Sequence, residues 1–204
     1  AMGRSYGSFR ELAAGEREGE DWGREYHPRG SRILVMAPHG GWIEPFTAEL
    51  ARVVAGGDLS FYAFLGLTEG RDRQGRPSLH LTSHRFDEPL ALRAVAEAHW
   101  VLALHGERTR DRSFVMLGGL WEELSVRLRP ALLAAGFQVR EAREGLRGEE
   151  PGNICNRGRA GVGGQMELSE ALRAELREDD VARAAFTGVV RGVLVELENG
   201  STGG

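Results

Sequence analysis

The sequence predicts a single α/β domain built on a mixed, mostly parallel sheet flanked by helices. Three observations carry that expectation. Short apolar runs at 33–37 (ILVMA), 100–104 (WVLAL) and 113–117 (SFVML) have the continuous hydrophobicity of strands covered on both faces. Helical-period segments ended by glycine alternate with these runs, which is the pattern of α/β layering. The 204 residues contain neither an internal repeat nor a Pro/Gly/Ser-rich linker, and that length buries one real core. The expected division is a surface segment over 1–30 and one domain over 31–204.

Taken in order, residues 4–30 are polar and glycine-rich with scattered aromatics and read as irregular surface chain with one short helix over 9–14. Ala1-Met2-Gly3 reads as a remnant ahead of the native start. The run at 33–37 is a buried strand, and Pro38 is expected to end it because proline has no N–H for the ladder. His39, Gly40, Gly41 and Glu44 follow, then a helix over 47–54 stopped at Gly56-Gly57. Residues 59–65 read as a strand, 69–77 as a charged turn and 79–82 as a short strand. Asp87 is the expected N-cap of a helix carrying Leu90, Leu92, Val95 and Ala96. The strand at 100–104 runs directly into His105-Gly106, and the strand at 113–117 ends in Gly118-Gly119. A helix over 120–135 stops at Gly136, and 137–141 is a strand. A Gly- and Arg-dense loop spans 145–164, a last strand 165–168, a Ser169-capped helix reaches 177, and a final helix covers 181–197. The Arg/Glu-rich terminal helices read as solvated faces.

Composition narrows the function. A net charge of −4 provides no general basic field, so nucleic-acid binding is disfavoured. All 26 basic residues are arginine, which excludes Schiff-base and Walker-type lysine chemistry. The single cysteine, Cys155, excludes an internal disulfide and reads as a small buried hydrophobe. No segment is long enough to span a bilayer and the N-terminal stretch has no apolar signal region, so the expectation is a soluble cytoplasmic monomer, acting outside only after release by lysis.

Two strands thus end alike, in His39-Gly40 and His105-Gly106, with Glu44 close to the first and Glu167 inside the last strand. The carboxyl ends of parallel strands are where α/β sheets place ligands. Two readings stand on the residues alone. In one, His39, Glu44 and His105 hold a zinc ion with a fourth position open, as catalytic zinc requires. In the other, the histidines are satisfied at strand ends and Glu44 is a helix-start carboxylate favoured by the dipole.

The segments MAPHGGWIEPFTAEL, LHLTSHRFDEP, LALHGE and PGNICNRG followed by GGQMELSEALR, in this order over residues 20–178, resemble the poly-γ-glutamate hydrolase family of phages and bacilli. The resemblance implies a zinc-carboxypeptidase-like α/β fold, one zinc per chain and cleavage of the γ-amide links of poly-γ-glutamate. It places the zinc ligands on His39, Glu44 and His105 and the general base on Glu167. Asn156 and Arg157, side by side on a loop, suit a substrate carboxylate or a developing oxyanion, which makes Arg157 a catalytic as well as a substrate-binding candidate; they are similar to the Asn-Arg pair with which carboxypeptidase-like enzymes hold a substrate carboxylate. Arg85 is a further substrate-binding candidate. Two positions depart from the family pattern, Glu107 after the second His-Gly and Arg85, and both are expected to line the cleft. Because the substrate is a polyanion, a local basic groove is expected from Arg85, Arg110, Arg112, Arg157 and Arg159. His80 and His84 flank the expected short strand at Leu81 and are placed to approach the site, with packing or hydrogen bonding as their expected role. Two other activities stay open: a zinc deacylase or carboxypeptidase on small N-acyl amino acids or γ-glutamyl peptides, and a non-catalytic zinc-containing binder of an acidic polymer.

Overall fold

The computed structural model describes residues 5–72 and 74–200, so Ala1, Met2 and Gly3 lie outside the described residues. The elements are α1 (Phe9–Gly15), β1 (Trp22–His27), β2 (Ile33–Gly41), α2 (Thr47–Ala55), β3 (Ser60–Gly66), α3 (Pro89–Glu97), β4 (Trp100–Glu107) and β5 (Val115–Gly119). They continue as α4 (Glu122–Ala134), β6 (Val139–Glu141), β7 (Gly164–Ser169), α5 (Glu170–Glu178) and α6 (Asp180–Gly200). Single 3-10 turns lie at Ser83–Arg85 and Ile154–Asn156. The seven strands form one sheet in the order β1-β3-β2-β4-β7-β5-β6. The pairs β2–β3, β2–β4, β4–β7 and β5–β6 are parallel, while β1–β3 and β5–β7 are antiparallel. The expected mixed, mostly parallel sheet is the one observed.

Strand alternation divides the core into two layers. Ile33, Val35 and Ala37 of β2, with Leu102 and Leu104 of β4, pack beneath α2, α4, α5 and α6. Leu34 and Met36, with Val101 and Ala103, pack on the opposite face against α1, α3 and the segment carrying Leu79, Leu81 and Phe86. Both faces are covered, which is why these strands are apolar at every position. Among the described residues no helix is long and apolar enough to cross a membrane.

Four local expectations need correction. Residues 22–27 are a strand, not irregular chain: β1 pairs antiparallel with β3 along the sheet edge, and Trp22 is buried. Residues 79–82 are not a strand, although Leu79 and Leu81 are buried; they form irregular chain laid over the second layer. Pro38 does not end β2, which continues to Gly41. Pairing with β4 stops at Met36, so Pro38 lies where its missing N–H costs no bond to that strand. Finally, Glu88, not Asp87, caps α3; Asp87 instead accepts from the Phe9 backbone N–H at 2.7 Å.

The Glu88 carboxylate is fully buried. It accepts from Leu90 N at 3.0 Å and Ala91 N at 2.8 Å, from the Tyr62 hydroxyl at 2.6 Å and from Arg24 Nη1 at 2.7 Å. Glu88→Ala removes a helix cap and leaves a buried hydroxyl unpaired, so stability should fall by about 3 kcal/mol. The denaturation midpoint measures this, and a shift below 1 kcal/mol would mean water or neighbours replace the carboxylate.

Candidate metal centre

The extra residue in β2 places the first histidine. From Ala37 to Gly40 the strand advances three residues while β3 advances two, from Ala63 to Leu65, which defines a bulge. Strict alternation would send His39 to the α2 face along with Val35 and Ala37. The bulge turns it instead to the opposite face, where its ring lies 5.1 Å from that of His105 and 6.1 Å from Phe86. His105 reaches the same face by ordinary alternation after Val101 and Ala103.

Glu44 is brought back by a tight excursion. Gly41 has φ +65°, and a Cβ there would meet the Gly66 carbonyl oxygen at 2.1 Å, so the chain crosses the end of β3 only as glycine. Trp42 N donates to Gly66 O at 2.9 Å, and Glu44 N donates to His39 O at 2.8 Å, closing the H-x4-E loop. Gly106 N then donates to Glu44 Oε2 at 2.8 Å, which ties this carboxylate to the end of β4.

Three ligand atoms converge. His39 Nδ1 lies 3.1 Å from Glu44 Oε1 and 3.2 Å from His105 Nδ1, and His105 Nδ1 lies 3.5 Å from Glu44 Oε2. A tetrahedral ion with ligands at about 2.0–2.1 Å spaces neighbouring ligand atoms by about 3.3 Å, so this triangle has the right size. His39 Nε2 donates to the Leu81 carbonyl at 2.6 Å, which leaves the lone pair on Nδ1, the atom facing the cluster. His105 Nε2 is buried with no hydrogen-bond partner among the described residues. His39, Glu44 and His105 can therefore hold a metal ion. Burial opposes ionisation of Glu44, but the flanking His39 and His105 outweigh it and hold its pKa well below the usual carboxylate range.

Glu167 stands one strand over, in register with His105 on β7, and is 6% exposed. Gln165 Nε2 donates to its Oε1 at 3.1 Å, leaving Oε2 unengaged by that amide. Burial, reinforced by the charge on Glu44, pushes its pKa well above the usual range. A carboxyl so displaced is poised to take up a proton.

The remaining expected site residues are not drawn into this cluster. The Asn156 amide is fully engaged: Nδ2 donates to Gly148 O and Glu150 O at 2.7 and 3.0 Å, and Oδ1 accepts from Leu120 N and Gly163 N at 3.2 and 3.0 Å. Arg157 is exposed and donates to Phe86 O at 3.1 Å. Arg85 is exposed on the 3-10 turn that packs against the turn preceding Arg157. Cys155 is buried, its thiol pushed up to about 12 by desolvation, which removes it as a nucleophile.

A cleft of about 770 Å³ opens beside Glu44 and Gly106. Arg71, Arg108, Arg110, Arg173 and Arg177 line it against three glutamates. Of the arginines expected in a basic groove, only Arg110 is among them. Arg112 lies 3.7 Å from Asp111, and Arg159 donates to the Glu97 carbonyl on another part of the surface. Glu107 does not line the cleft either: Thr109 N and Oγ1 donate to its carboxylate at 2.9 and 3.0 Å, and Arg143 at 2.5 Å. His80, which the sequence offered as able to approach the site, does so: its ring lies 4.0 Å from that of His39, tilted by 30°, with Nε2 3.8 Å from Glu44 Oε1. One cleft residue escaped the sequence reading. Arg173 sits in a helix whose charge pattern looked solvated.

Fold and site together define the class: an α/β protein whose sheet carries, at its carboxyl edge, a His-Glu-His group able to hold a metal ion and a neighbouring carboxyl one strand away. The chain belongs to the poly-gamma-glutamate hydrolase family, whose sequence model matches residues 6–185. It is similar to YmaC of Bacillus subtilis (strain 168), with 34% identity over 178 residues, 86% of this chain and 73% of YmaC. It is also similar to YndL of the same organism, with 35% identity over 84% of this chain and 66% of YndL. A bacteriophage poly-gamma-glutamate hydrolase superposes with TM-score 0.85 at 26% identity, covering 95% of this chain and 98% of that one. A zinc-free apo form of YndL superposes with TM-score 0.84 at 32% identity, covering 94% and 97%.

Proposed function

We propose that this chain is a zinc-dependent hydrolase that cuts the γ-glutamyl amide bonds of poly-γ-glutamate. The observation that carries this reading is the convergence of His39 Nδ1, Glu44 and His105 Nδ1 at 3.1–3.5 Å in a member of this family. These three residues would hold the zinc, since two imidazole nitrogens and one carboxylate are a donor set of catalytic zinc. When bound, zinc supplies Lewis acidity toward the scissile carbonyl and lowers the pKa of water towards about 7.

The chain's own residues would do the rest. Glu167 takes the proton released by the attacking water and delivers it to the leaving amine nitrogen, so that water and amide become a carboxyl and an amine. Gln165 holds one oxygen of that carboxyl in place. The Leu81 carbonyl fixes the tautomer and orientation of His39. Asn156 contributes by pinning the loops around Gly148 and Gly163, and Arg157 with Arg85 offers the polymer cationic contacts beyond the cleft.

The test is incubation of the purified protein with poly-γ-glutamate, with and without a chelator, following polymer length on a gel. Shortening that stops with chelator and returns with zinc is the expected result. No shortening by protein shown to carry zinc would overturn the substrate assignment.

A further inference from the structure

The Arg173 guanidinium is the most unusual charge in the molecule outside the metal centre. It belongs to α5, on the helix face whose Glu170, Ala174 and Arg177 form one wall of the cleft. It is 6% exposed, and its burial outweighs the favourable charges of Glu44, Glu170 and Glu107, none of which lies within ion-pair distance of it. A buried ion is ordinarily paired, because the desolvation cost is otherwise uncompensated.

Among the described residues its hydrogen bonds go only to neutral backbone. Nε donates to Leu168 O at 3.3 Å, Nη1 to Pro45 O at 2.8 Å and Nη2 to Glu107 O at 3.1 Å. These carbonyls belong to residues just after Glu167, Glu44 and Gly106. A guanidinium has five N–H donors, so one remains on each terminal nitrogen for a further acceptor such as a carboxylate. The sequence also makes room for the group. A Cβ on Gly106 would stand 2.6 Å from Arg173 Cζ, so the glycine following His105 is what admits the guanidinium to the cleft beside the metal centre.

From a buried, unpaired, half-satisfied guanidinium lining the cleft, we infer that Arg173 binds a substrate carboxylate next to the scissile bond and so makes the site selective for γ-linked residues that carry a free α-carboxylate. This rests on the reading of the chain as a γ-glutamyl hydrolase. In a γ-linked glutamate chain every residue keeps its α-carboxylate beside the amide, so the anion travels with the bond to be cut. Arg173 would then be a specificity-determining residue, with Arg110 and Arg177 supplying the outer cationic wall.

Replacing Arg173 also disturbs three carbonyls near the centre, so a loss of turnover alone would not distinguish binding from scaffolding. The discriminating probe is a pair of short γ-glutamyl oligomers, one with free α-carboxylates and one with these converted to α-amides. Binding of both to the metal-free protein is measured by calorimetry, and kcat/KM for both is measured with zinc. The wild-type protein should favour the acid on the order of tenfold to a hundredfold. Arg173→Gln should bring that preference close to one. Gly106→Ala, which keeps every charge but pushes the flexible guanidinium aside, should reduce it in the same direction and covers the case in which Arg173→Gln does not fold. Preference unchanged in a folded variant overturns the inference while leaving hydrolysis intact. Wild-type protein that binds the acid selectively but cuts neither oligomer supports the inference and overturns the hydrolase reading.

Discussion

Glu167→Gln should lower kcat on poly-γ-glutamate by about 10²–10⁴-fold, the span general-base catalysis covers, while leaving the fold and metal binding in place. Glutamine keeps the shape of the side chain and an oxygen for Gln165 to donate to, but it cannot accept a proton. Metal content and kcat measured on the same preparation separate base from ligand: turnover near the wild-type rate would remove Glu167 from the mechanism, and lost metal would make it a ligand. The substitution also has a stability signature. Burial and the Glu44 charge raise the Glu167 pKa in the folded, metal-free protein. Its contribution to stability is therefore present below the ordinary carboxylate pKa and is lost as pH rises through the displaced value. Metal-free Glu167→Gln should escape that loss, so its denaturation midpoint should exceed wild type increasingly as pH rises above the usual carboxylate range.

His105→Ala should abolish both metal binding and turnover. His105 supplies one corner of the triangle formed with His39 and Glu44, and two remaining donors do not make a catalytic zinc site. The wild-type protein should gain stability with added zinc, by about 4 kcal/mol when free zinc exceeds the dissociation constant a thousandfold. The variant should show no zinc-dependent shift in Tm. Without metal the substitution should cost less than a typical buried truncation, because His105 Nε2 is already buried without a partner among the described residues. A variant that still carried one zinc per chain and melted later with it would place the metal elsewhere.

The three residues that can hold a metal ion were legible only in part from the chain around them. Two apolar strands each running into His-Gly, with a glutamate five residues beyond the first, left a metal site and satisfied strand-end histidines both open, and the segments of family resemblance chose between them. The edge strand β1 was not legible: Trp22–His27 reads WGREYH, polar because one edge and part of one face meet solvent, so the apolar run that betrays a central strand is missing. Of the arginines expected in a basic groove, Arg110 lines the cleft beside Glu44 while Arg85, Arg112, Arg157 and Arg159 do not, because which arginines share a cleft depends on how α5 and the ends of β2 and β4 meet.

By itself, the sequence determined the α/β class, the buried central strands and the residue types of the centre, because hydrophobic period, glycine stops and donor chemistry act over a few neighbours. Only the tertiary structure decided which face His39 takes, since a one-residue bulge at Pro38 overrides strand alternation and turns it toward His105. It also decided that Arg173, written into a charged amphipathic helix, lies buried over Gly106. Side-chain direction in a sheet and burial of a charge are set by contacts between segments far apart in the chain, and no local pattern records them.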